Sequence, residues 1–77
     1  AGKVRAYDAK TREMTLRLEE SLSAGDTVRV KGKATDLTQR VEHLRVGKKV
    51  VQSALPGETA FVEVADAVRP GDAVWKL

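Results

Sequence analysis

Apolar and polar residues alternate along much of this chain. Met14, Leu16 and Leu18 are separated by Thr15 and Arg17; Val28 and Val30 flank Arg29; Ala60, Val62 and Val64 flank Phe61 and Glu63. A spacing of two places one set of side chains on one face of a strand, and would scatter the same residues around a helix. That periodicity outweighs the good helix propensity of the Glu, Leu, Met and Arg residues around Leu16. Val4 and Ala6, interleaved with Lys3 and Arg5, predict a further strand that ends at Tyr7 and a turn over residues 8–12. Val50-Val51 reads as a short extended piece, and residues 73–77 as a closing strand.

Three of these strands begin in the same way. Gly25-Asp26 precedes Thr27, Gly57-Glu58 precedes Thr59, and Gly71-Asp72 precedes Ala73. Glycine admits a positive φ that other residues resist, and an acid beside it can bond nearby backbone N–H groups, so each phrase predicts a turn feeding a strand. Their irregular spacing excludes a solenoid repeat.

Residues 35–46 are the ambiguous stretch. Leu37, Val41 and Leu44 are spaced four and three apart, as on one face of a helix that Asp36 could cap. The strand alternative turns Val41, Leu44 and Val46 inward, and needs a bulge near Glu42-His43 to change parity.

Length and composition narrow the class. A chain of 77 residues is one domain, spanning residues 1–77, and valine enrichment beside six glycines and two prolines favours strands. Several short strands divided by glycine-rich turns describe a small all-β barrel or sandwich, and closure into a barrel would leave no long sheet edge. With no cysteine, neither a disulfide nor a cysteine-rich metal site is available. No apolar run approaches the roughly 18 residues that cross a bilayer, and no signal-peptide pattern is present. These features point to a cytoplasmic setting.

The phrases GKVRAY, TLRLEESLSAGDTVRVKG, TQRVEHLRV, VVQSALPGETAFVEV and VRPGDAVWK, in that order, resemble the translational β-barrel found as domain two of elongation factor Tu. They are also similar to small proteins described as translation elongation factor-like, and to the C-terminal barrel of collagenase-like peptidases. The resemblance implies a small closed antiparallel β-barrel of about six or seven strands, and makes residues 38–46 one bulged strand rather than a helix. It does not imply a GTPase: the chain has no glycine-rich phosphate loop, so GTP binding by that mechanism is excluded.

Charge is unevenly distributed. Residues 29–49 hold Arg29, Lys31, Lys33, Arg40, Arg45, Lys48 and Lys49 against Asp36 and Glu42, whereas residues 1–28 balance five bases with five acids. If residues 29–49 form neighbouring strands, Arg29, Lys31, Arg40 and Arg45 share one face with Lys48 or Lys49 at its rim. Such a face suits phosphates, and the expectation is a non-enzymatic module contacting RNA or the ribosome through these seven residues. The alternative is a protein-interaction module docking on a partner enzyme such as a collagenase-like peptidase.

Catalytic chemistry finds little support. His43 is the single histidine and reads as a surface residue; Ser21, Ser23 and Ser53 read as turn residues, and Asp26 and Asp72 as turn acids. No enzyme activity, cofactor or metal is expected. Phe61 alternates with the inward set and is a candidate for exposure, and Trp75 suits either a barrel mouth or a contact surface; for both, a core or lid role is favoured over a ligand role, because so small a chain has few large apolar side chains.

Overall fold

The computed structural model describes residues 2–77. Ten strands carry its regular structure: β1 (Gly2–Asp8), β2 (Glu13–Leu18), β3 (Leu22–Ser23), β4 (Thr27–Lys31), β5 (Asp36–Arg40), β6 (Leu44–Val46), β7 (Lys49–Val50), β8 (Ser53–Ala54), β9 (Thr59–Glu63) and β10 (Ala73–Lys76). Eight form one antiparallel sheet in the order β5-β4-β10-β1-β2-β9-β6-β7, and β3 pairs with β8. The alternating apolar residues fill its interior. Met14, Leu16, Val28, Val30, Val41, Ala60 and Val62 are completely buried.

The three repeated phrases build one device three times. Gly25, Gly57 and Gly71 have φ of +96°, +87° and +92°. Each donates its N–H to a buried residue on a neighbouring segment, Val41 (2.7 Å), Leu18 (2.8 Å) and Val4 (2.8 Å) respectively. Those residues return an N–H to the carbonyl of the following acid, Asp26 (2.8 Å), Glu58 (3.0 Å) and Asp72 (2.9 Å). Two residues thus oppose one, which is a β-bulge with a left-handed glycine at its first position, and such bulges bend and twist the strand that carries them. The acid then locks the preceding turn. Asp26 Oδ2 accepts the N–H of Ser23 (2.9 Å), Glu58 Oε1 that of Leu55 (2.7 Å), and Asp72 Oδ2 that of Arg69 (2.9 Å). The expected turn role of glycine and acid holds at all three places.

Three expectations are corrected. The sheet curls into a half-barrel but stays open, with β5 and β7 each paired along one side only. Across the gap, the side chain of Gln39 on β5 donates to Glu63 O (2.8 Å) and accepts the N–H of Ala65 (2.8 Å). Residues 38–46 avoid a helix, as the resemblance implied, yet they are not one strand. The chain leaves β5 at buried Val41 and enters β6 at buried Leu44, so the inward set is kept while the chain passes to the far end of the sheet. In β1 the register shifts between Val4 and Ala6. The bulge at Arg5 reverses the parity, so Ala6 faces solvent and Tyr7 packs against the core.

Candidate interaction surface

The seven basic residues of 29–49 do not assemble into one face. Arg29 and Lys31 share the outer side of β4, and Arg40 sits on neighbouring β5 opposite Thr27. Arg45 lies on β6, with β10, β1, β2 and β9 between it and β4. Lys33 is exposed in the turn after β4, Lys48 in the turn before β7, and Lys49 on β7 itself. Contrary to expectation, Arg40 and Arg45 do not share one strand: residues 41–43 separate β5 from β6, and these two strands do not pair.

Two of the arginines are committed to internal partners. Arg29 makes two hydrogen bonds to Asp36, Nε to Oδ1 (3.1 Å) and Nη2 to Oδ2 (3.0 Å), and its guanidinium lies 5.8 Å from the ring centroid of Trp75. This hydrogen bonding raises the Arg29 pKa and holds the Asp36 carboxyl below its ordinary value. Arg45 grips Glu13 in the same way, Nη2 to Oε1 (2.9 Å) and Nε to Oε2 (3.3 Å), donates to the Gly47 carbonyl, and sits 4.2 Å above the ring of Phe61. Phe61 and Trp75 are half-buried on the outer side and belong to neither core nor lid, contrary to expectation. They occupy the same place in the repeated phrase, four residues after Gly57 and Gly71. Each ring carries a guanidinium fixed by its own carboxylate.

The register assembles a different basic group. Lys31 is the partner of Ala73, Ala73 of Lys3, and Lys3 of Arg17, giving one outward row across β4, β10, β1 and β2. Lys3, Arg17 and Lys31 are all exposed, and Arg5 stands beside them around a shallow hollow of about 220 Å³ with Leu18 and Glu19. Charge counted along the sequence conceals this row, because Lys3, Arg5 and Arg17 lie in the segment whose bases and acids cancel. The visible signal was their placement at the polar positions of alternating strands; the pairing that unites them is long-range.

His43 is exposed and borders a hollow of about 280 Å³ with Arg12, Gln39, Arg40, Glu42 and Glu63. None of the residues lining it carries a hydroxyl or thiol. Among the described residues no group of three or more His, Asp or Glu side chains converges as a metal site would require, and no helix is long and apolar enough to cross a membrane.

No family model and no curated protein matches this chain. Solved structures do, among them two of one domain. One is the crystal structure of the "C-terminal domain of Geobacillus thermoleovorans putative U32 peptidase", with a TM-score of 0.93 and 24% identity over 100% of this chain and 90% of that one. The other is the selenomethionine variant of the same domain, with a TM-score of 0.90 and 23% identity, covering 96% and 94% of the two chains. At this identity the likeness establishes the fold. It agrees with the resemblance to the collagenase-like peptidase barrel, and gives no support to the one with elongation factor Tu.

Proposed function

We propose that this chain is a non-enzymatic protein-interaction module that docks on another folded domain, such as that of a collagenase-like peptidase. The observation that carries the reading is the likeness, over the whole chain, to a domain that stands C-terminal in such a protein. A small β fold of this kind contributes a surface, and the surface here has the composition of a contact region: half-exposed tryptophan and phenylalanine, each beside arginine. The RNA reading loses its main support once Arg29 and Arg45 are held by Asp36 and Glu13 and the other five bases are dispersed.

Chemical cross-linking in native cells followed by affinity capture, with and without nuclease digestion, tests the proposal. The expected result is a stoichiometric protein partner recovered equally in both arms. Recovery that vanishes with nuclease would replace protein docking by nucleic-acid binding.

A further inference from the structure

Like charges placed directly opposite one another on a sheet are destabilising. Lys3 and Arg17 are such partners, and no carboxylate forms an ion pair with Lys3, Arg5 or Arg17 among the described residues. Arg29 and Arg45 show the contrast, since each is matched to its own acid on the same sheet. Lys31 is intermediate: its cross-strand partner Asp36 feels its charge but is hydrogen-bonded to Arg29. Lys3, Arg5 and Arg17 therefore gather at one place on the sheet with no acid ion-paired to any of them, and an anionic partner would relieve their mutual repulsion.

Resting on the docking reading, we infer that the row Lys31–Ala73–Lys3–Arg17, with Arg5 beside it, is the docking face, and that its occupant is an acidic segment of the partner protein. Three inter-strand steps separate Lys31 from Arg17, about 14 Å at the usual strand spacing. An extended segment of about five residues covers that distance. Ala73 leaves a low apolar floor between Lys31 and Lys3. Acids at alternate positions of such a segment would stand about 7 Å apart, within a Debye length of the cations they meet.

The same cations could attract a nucleic acid, but the surroundings favour protein. Single-stranded RNA is held by aromatic rings open to stacking bases. Arg29 lies over the ring of Trp75 and Arg45 over that of Phe61, and both guanidiniums are tethered by acids. The row is also short, bounded by Asp36 beyond Lys31 and by Thr59 beyond Arg17, so it offers no track along a polymer.

The test measures binding of fluorescent poly-L-glutamate and of an RNA oligonucleotide of equal charge, at low and at physiological salt, with amide chemical shifts to locate each. The variants are Lys3→Gln with Arg17→Gln, and Lys48→Gln with Lys49→Gln as the control for bulk charge. Salt-sensitive poly-L-glutamate binding that shifts Lys3, Arg17 and Lys31, and weakens about tenfold in the first pair only, is expected. Because the first pair removes a like-charge contact, its melting temperature should equal or exceed that of the parent, which separates lost binding from lost folding. Equal weakening in both pairs, or no poly-L-glutamate binding at low salt, would overturn the inference, as would tighter binding of the RNA at the row. Undiminished capture of a nuclease-resistant partner by the first pair would also overturn it, yet leave the docking reading intact. Capture abolished by nuclease would remove both.

Discussion

At the scale of single residues, the outer surface is organised by pairs. Arg29 with Asp36 and Arg45 with Glu13 each use a two-pronged guanidinium–carboxylate contact, the geometry that arginine supports and lysine does not. The first pair has a consequence for pH. Hydrogen bonding from Arg29 holds the folded-state pKa of Asp36 below its ordinary value of 3.8. A depressed carboxyl pKa adds stability that is present above the unfolded value and is lost as pH falls through the folded one. Urea midpoints of the parent should therefore fall more steeply below pH 3.8 than those of Asp36→Asn. The pair is exposed, so the difference should be small and should shrink in high salt. Parallel acid limbs for the two proteins would show that the contact is not formed in solution.

At the scale of elements, the turn-bulge repeated at Gly25, Gly57 and Gly71 shapes the fold. Its glycine needs the left-handed region, and replacing any one of the three by alanine should cost about 1 kcal/mol or more. The three acids differ by setting. Asp72 is buried at 6% exposure, whereas the bond from Leu55 to Glu58 is open to solvent. Thermal melts should therefore rank Asp72→Ala as more damaging than Glu58→Ala, by about 1 kcal/mol, because water can replace the bond at Glu58 and has poor access at Asp72. Equal losses would mean that the acids act through the turn alone and not through burial. These turns were legible in the sequence because glycine and acid act on their own neighbours. The residues that face them, Val41, Leu18 and Val4, are brought there by long-range pairing and were not legible. The same limit explains the candidate surface. Alternation put Lys3, Arg17 and Lys31 on polar faces, but only the register of β4, β10, β1 and β2 set them in one row. The helical spacing of Leu37, Val41 and Leu44 arose for another reason: the chain leaves one edge strand and enters the other end of the sheet while keeping all three inward.

At the scale of the whole molecule, the question is how an open sheet encloses a core. The side chain of Gln39 reaches from β5 to the segment that ends β9, and its amide does what a peptide group does in a ladder: Nε2 donates to Glu63 O and Oε1 accepts from Ala65 N. Replacing Gln39 by glutamate keeps the size and the acceptor but removes the donor. When ionised, the introduced carboxylate still accepts from Ala65 but sets a negative oxygen against the Glu63 carbonyl. When protonated it regains an O–H that can donate there. Donation by the neutral acid raises its folded-state pKa, so this contribution is fully present below the unfolded value near 4.3 and is lost as pH rises through the folded value. Hydrogen exchange should show it, once intrinsic rates are corrected for pH. In Gln39→Glu the Ala65 amide should be protected nearly as in the parent at acidic pH and markedly less at neutral pH, while Gln39→Ala should lose protection at both. If the gap is instead held by the buried residues beneath it, Val41, Leu44 and Val64, all three proteins will protect Ala65 alike and the amide bridge will be incidental.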